Sequence, residues 1–487
     1  MRRRSSHRRA RVALLAGFLV LVALATGAAL RGDGPSPGEP LVPGTDEAAP
    51  FPDPFAYDPD REDELTRRAA AGNSHVLYAR STDGAAATAA RVARYRAPVE
   101  EAAKRAGVDA DLLEGLVFLE SAGRPDAMAG DTEGAVGLTQ ILAETGQNLL
   151  GMQIDVGASS RLTRQIARRE RHGLGVERLR AQRRVIDERF DPAKALDATA
   201  RYLIFARKEL GRADLAFVSY HMGVGNLQSV IEAYDGGDEP SYARIFFDST
   251  PATHPEVTRM LMRFGDDSSN YLWKVYAAAE IMRLYRGDPE ELQRMQALQG
   301  AKNSAEDVLH PQGSTPQFAD PDALRQAYDD GAVVAFPDDP ARTGLRRDRR
   351  MGELAGRLDV DRALYQGLGP DALAMALYIG AQVRSYAGGN PALIVTSTVR
   401  DQAYQDLLVR RYREATRNYS LHTTGWAFDI ARVYRDGRHA EAFQYVLDRL
   451  QAMNVIAWVR EPDAIHITAS TEAAKLRPLL ERLDPEG

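Results

Sequence analysis

ESAGRPDAMAGDTEGAVGLTQI, residues 120–141, continues from the apolar run LLEGLVFLE (112–120), and this junction decides how the middle of the chain is read. Apolar residues at helical spacing lead up to Glu120, and Asp109 and Asp111 stand before them, where carboxylates suit the positive end of a helix dipole. After the acid, small and turn-forming residues take over. Burial against an apolar helix end pushes a carboxyl toward its neutral form, above its usual ~4.3. Such a group can donate a proton near neutral pH. No second acid is tied to Glu120 by this spacing; Asp126 and Asp131 read as loop and turn acids.

Working outward, helical spacing extends from about Glu62 to Gln299, for example in ALDATARYLIFARKEL (195–210) and LWKVYAAAEIMRLY (272–285), with few alternating strand patterns. An all-α domain over 61–300 is expected. Three further pieces follow the first in order: DPAKALDATARYL (191–203), SYHMGVGN (219–226) and NYLWKVYAAAEIM (270–282). Together they make residues 95–285 resemble the soluble lytic transglycosylases, whose ES, G-x-x-G-L-x-Q, A-Y-N-A-G-x-G and closing tyrosine-helix motifs they follow. The resemblance implies a goose-lysozyme-like helical fold and cleavage of peptidoglycan glycan strands without a cofactor. It makes Glu120 the sole catalytic acid and base, the substrate's own 6-hydroxyl attacking to leave a 1,6-anhydromuramic end. It also puts Ser121, Gln140 and Tyr220 in the sugar-binding groove and Tyr271 near the reacting centre. His221 and Met222 stand where the family has Asn-Ala, a change that bears on groove shape.

From Ala301 to Gln317 (AKNSAEDVLHPQGSTPQ) the pattern lapses into polar and turn-prone residues, read as a connection between domains. Beyond it, over 318–487, helices are suggested at DPDALRQAYDDG (320–331) and GPDALAMALYIGAQVRSYA (369–387). ALIVTST (392–398), WAFDIA (426–431), NVIAWVR (454–460) and AIHITAS (464–470) read as strands. This is an α+β domain. SLHTTGWAFDI (420–430) carries His422 and Asp429, AIHITAS carries His466, and Arg400 lies upstream in IVTSTVRDQAYQ (394–405). Residues 365–470 thereby resemble the zinc D-Ala-D-Ala peptidases of the VanX and VanY type, with Ser420, His422, Gly425, Ala427 and Asp429 on the S-x-H-x-x-G-x-A-x-D motif. The resemblance makes His422, Asp429 and His466 zinc ligands and gives Arg400 to the substrate. Two histidines and one carboxylate leave one of zinc's four positions open, which suits catalysis. The family's catalytic glutamate, three residues before the last histidine, is here Asp463, with Glu461 two residues earlier. Three outcomes stay open: Asp463 acts as the base through a bound water, the domain holds zinc and binds the wall without cutting it, or it holds no metal.

Composition bounds the rest. The 487 residues include 62 Lys plus Arg against 68 Asp plus Glu, a formal charge of −6 that offers no bulk positive field to nucleic acid. Cysteine is absent, so disulfides, thiolate metal sites and cysteine nucleophiles are excluded and any metal must rest on His, Asp or Glu. The Arg-rich run 161–184 reads as a solvated helical face. Arg2, Arg3, Arg4, Arg8, Arg9 and Arg11, with no acid among them, precede an apolar run over 12–30, close to the ~20 residues that span a bilayer. Residues 1–31 are expected to be a signal anchor or a cleaved signal peptide, which places the remainder in the cell envelope outside the cytoplasm. Residues 32–60, rich in Pro and Gly, read as an extended spacer. The expected whole is multidomain: an N-terminal membrane segment, an all-α lysozyme-like domain, then an α+β zinc D,D-peptidase-like domain. Its partners are glycan strands, stem peptides, the membrane and other wall proteins. Two other readings remain, a noncatalytic peptidoglycan-binding scaffold and a conventional muramidase.

Overall fold

The helix that carries Glu120 begins where its sequence says it should: Asp109 caps it, its side chain accepting the backbone N–H of Asp111 at 2.7 Å. In the computed structural model, which describes residues 53–235, 237, 239–300, 305–411 and 419–483, this helix is one of five that frame the first site. They are α1 (Glu62–Arg80), α2 (Ala110–Ser121), α3 (Pro192–Leu210), α4 (Ala213–Met222) and α5 (Tyr271–Gly287). The proposed membrane segment and most of the spacer lie outside the described residues, among which no helix is long and apolar enough to cross a membrane.

α3 starts on Pro192, preset for a helix, with Asp191 accepting from the N–H groups of Ala193 and Lys194. α2 and α5 cross closely because Gly115 has no side chain: a Cβ there would stand 2.5 Å from the carbonyl oxygen of Val275. The Arg-rich run folds as two helices, and it is less solvated than its composition implies. Arg183 is buried, with its guanidinium 3.7 Å from the Phe190 ring centre and a hydrogen bond to Asp126 at 2.5 Å.

Toward the C-terminus come α6 (Ala305–Leu309), α7 (Pro370–Ala387) and α8 (Gly437–Ala452). Strands β1 (Leu345–Arg347), β2 (Leu393–Ser397), β3 (Ala427–Ala431), β4 (Ile456–Arg460) and β5 (Ala464–Ala469) form a mixed sheet in the order β1-β2-β3-β5-β4. Only the β1–β2 pair is parallel. β3, central and buried along its whole length, reads as an apolar run broken by one acid, Asp429. β1 and α8 carry no element of the sequence reading.

One continuous apolar core runs through both halves, from Leu116 and Trp273 to Phe443 and Ile467. Gly72 of α1 lies against the backbone of α8, where a Cβ would be 2.4 Å from the Gln451 carbonyl oxygen. Polar bonds stitch the same seam, the Tyr445 hydroxyl donating to Ser249 O at 2.9 Å and Arg449 to Phe247 O at 2.7 Å. The stretch read as a connection contributes α6, which packs on β4 and β5.

Candidate functional sites

Glu120 is the penultimate residue of α2, and the helix stops immediately after it. Ala122 takes a left-handed conformation (φ 53°) and Gly123 follows at φ 71°, where a Cβ would meet the Val92 backbone nitrogen at 2.7 Å. The chain must therefore turn away and leave the carboxyl at the helix end. The Tyr271 hydroxyl, from the first turn of α5, donates to Glu120 Oε1 at 2.5 Å. Burial pushes the Glu120 carboxyl up to about 7, against the opposing pull of that hydrogen bond. Burial and the neighbouring Glu120 also push the Tyr271 hydroxyl well above its usual range, so it stays a donor.

Glu120 remains half-buried and opens onto a cleft of 290 Å³ that also meets Arg80, Arg124, Lys274 and Asp267. Asp267 is a second acid in this cleft; its pairing with Lys274 Nζ at 2.9 Å holds it below the usual carboxylate range. Tyr220 donates to Thr139 O at 2.7 Å and sets its ring edge-on to Tyr202. Gln140 stands at φ 52°, its amide nitrogen donating to the carbonyls of Ala127 and Gly137, and its amide oxygen accepts no hydrogen bond among the described residues. Ser121 is buried, its hydroxyl donating back to Val117 O at 3.2 Å. The His221 ring stacks on Tyr271 at 5.2 Å between centroids and bonds Ser268 through Nδ1.

Residues 97–241 match the Transglycosylase SLT domain family. A search of curated proteins found no match to the chain. The SLT domain supports lytic transglycosylase activity on peptidoglycan, and the matched segment contains Glu120, Gln140 and Tyr220, while Tyr271 lies beyond it on α5. The domain has a buttress that the sequence reading passed over. Arg189 and Asp187 form a fully buried ion pair at 2.9 Å, and Arg189 also donates to the carbonyls of Thr132, Gly134 and Ile141. It thereby pins the loop that presents Gln140. Gly137, at φ 85°, is required there because a Cβ would fall 1.9 Å from Arg189 O. The only sequence signal was an Arg between two acids in DERFD (187–191).

The second cluster is built by the sheet register. β3 and β5 run antiparallel with Asp429 directly opposite His466, so their side chains share one face. His422 reaches the same point from a tight turn, Leu421–Thr424, closed by Gly425 at φ 79°. His422 Nε2 lies 3.2 Å from Asp429 Oδ1 and 3.1 Å from His466 Nδ1, which is itself 2.8 Å from Asp429 Oδ1. Three ligand atoms thus converge within 4.8 Å. The far nitrogen of His422, Nδ1, lies 2.7 Å from Thr398 O, so it carries the proton and leaves the Nε2 lone pair facing the cluster.

Without a cation, the charges are arranged as an ion pair beside a neutral ring. Burial, assisted by Arg400, pulls His422 down to about 4. Burial also opposes charge on His466, but the Asp429 hydrogen bond and the acids Glu306, Asp429 and Glu461 outweigh it and hold that ring up at about 9. Although burial opposes its charge, Asp429 lies well below the usual carboxylate range under both histidines.

Arg400 donates to Ser397 Oγ at 2.7 Å, Gln405 Oε1 at 3.0 Å and Asp429 Oδ2 at 3.3 Å. It therefore braces the outer oxygen of Asp429 while Oδ1 faces the histidines. Asp463 lies exposed in the turn between β4 and β5, and its side chain makes no hydrogen bond to the trio among the described residues. Glu461 is the nearer acid in its electrostatic effect, acting on His466 and Arg400. Glu306 of α6, absent from the sequence reading, lies 3.7 Å from His466 Nε2.

Proposed function

We propose that the chain is a peptidoglycan lytic transglycosylase whose C-terminal half carries a zinc centre directed at stem peptides. The observation that carries the first part is the Glu120 carboxyl, held near neutral pKa at the end of α2 and hydrogen-bonded by Tyr271. In this reading Glu120 protonates the bridging oxygen between muramic acid and glucosamine residues. It then takes the proton of the muramic 6-hydroxyl as that oxygen closes on C1, leaving a 1,6-anhydro end. Tyr220, Gln140 and Ser121 line or shape the groove, and Tyr271 orients the acid.

Asp267 favours a second reading, a muramidase in which it activates a water from across the cleft. Its ion pair with Lys274 weakens it as a base, which argues for the transglycosylase.

The donor chemistry of His422, Asp429 and His466 fits a zinc ion, which would supply a Lewis acid and an ionisable water for amide cleavage. Arg400 holds Asp429 in place, and Asp463 or Glu461 offers a carboxylate at the rim. Export of the chain, with residues 1–31 as anchor or signal, would bring both halves to their substrate.

Digestion of purified sacculi, with and without a chelator, tests both halves in one experiment. The expected products are anhydromuramic ends, lighter by one water than muramidase products, together with chelator-sensitive shortening of stem peptides. Reducing ends alone would establish the muramidase, and intact sacculi that retain the bound protein would establish a scaffold.

A further inference from the structure

Glu306 is a buried acid that neither site so far employs. It is 7% exposed, and its Oε1 accepts no hydrogen bond among the described residues. An acid left in that condition is costly unless a partner comes to it. The polar group it faces is His466 Nε2, 3.7 Å away, an ionic contact rather than a hydrogen bond. On the same ring, Nδ1 is the atom that joins His422 Nε2 and Asp429 Oδ1.

A neutral imidazole carries one proton. If it sits on Nδ1, the ring donates to Asp429 and its lone pair, on Nε2, points away from the cluster; if it sits on Nε2, the Nδ1 lone pair faces the cluster. His422 meets this requirement with the Thr398 carbonyl behind its Nδ1. Among the described residues, Glu306 stands in the equivalent place behind His466, 3.7 Å from Nε2.

We propose that Glu306 is a positioning residue of the metal centre, accepting the Nε2–H of His466 and thereby leaving Nδ1 to bind the cation. This rests on the reading of His422, Asp429 and His466 as a zinc site. Because Glu306 belongs to α6, between the helical half and the sheet, the centre is completed by a residue outside the span that resembles the zinc peptidases. Glu306 is not itself within the converging ligand set, so its role is exerted through His466.

Zinc titration of the full chain against a chromophoric chelator tests this, with Glu306→Gln, Glu306→Ala and His422→Ala beside the parent. The expected result is an affinity about 10–100-fold weaker for Glu306→Ala, the range seen when such supporting partners are removed. Glu306→Gln, which keeps the shape and one acceptor but loses the charge, should fall between Ala and the parent. Cobalt(II) absorption bands should shift in both variants, and metal-free Glu306→Gln should melt no lower than the parent. Zinc affinity within twofold of the parent for both variants overturns the inference and leaves the zinc site standing. A metal-free Gln variant that melts well below the parent marks a structural acid and also overturns it. A parent that binds no more zinc than His422→Ala removes the metal centre, and the inference with it.

Discussion

At residue scale the decisive bond is the one from the Tyr271 hydroxyl to Glu120. It stabilises the charged form of the acid and so opposes the burial that raises it. Tyr271→Phe should therefore push the Glu120 pKa above its value of about 7, moving the alkaline limb of kcat/KM to higher pH. With the acid no longer oriented, kcat should fall about 10–100-fold, the kinetic equivalent of one hydrogen bond to a charged group. A pH–rate series on solubilised glycan strands measures both effects. Stability gives a second readout of the same group. Because the folded pKa is raised, the neutral acid stabilises the fold fully below the unfolded value of ~4.3, and this is lost as pH rises through about 7. Glu120→Gln cannot ionise, so it should be inactive yet more stable than the parent at pH 8 by about 1–3 kcal/mol, with little difference at pH 4. Denaturant unfolding at the two pH values checks the sign.

At the scale of elements, both sites depend on close backbone approaches that few residues permit. α2 and α5 bring Glu120 and Tyr271 together only because Gly115 sits against the Val275 carbonyl. Gly115→Ala should cost about 1–3 kcal/mol by overpacking and should also lower activity by spreading the two helices. A merely destabilised enzyme would recover full activity at low temperature, whereas this variant should not. Thermal melts and rates at two temperatures separate the cases. In the sheet, the register of β3 on β5 has the same importance. A one-residue slip would turn either Asp429 or His466 to the opposite face and dissolve the cluster.

At the scale of the molecule, the two halves share a core and are joined by buried polar bonds from α8 to the helical half. They should unfold together, giving a single calorimetric transition. Gly72→Leu, which forces a side chain into the Gln451 carbonyl, should split that transition in two or broaden it markedly. Two well-separated transitions in the parent would refute the shared core. Such a union also explains how α6, placed between the halves, can bring Glu306 to the back of the His422, Asp429 and His466 cluster.

Much of this was legible in the chain itself, because local chemistry decides it. Helical spacing, the Asp109 and Asp191 caps, the turn after Glu120 and the strands carrying Asp429 and His466 all follow from short-range preferences. The trio of His422, Asp429 and His466 was readable from spacing and resemblance. What spacing cannot express is which distant groups share a desolvated space. The hold of Arg189 on the Thr132, Gly134 and Ile141 carbonyls, the hydrogen bond from Tyr271 to Glu120, the grip of Arg400 on Asp429 and the approach of Glu306 each depend on packing between separate segments. A polar stretch such as 301–317 looks like a linker by composition, yet packing against β4 and β5 buries one of its acids, Glu306, beside His466. Sequence determined the residues available for chemistry; tertiary packing decided which of them lose their water and so acquire shifted charges and fixed partners.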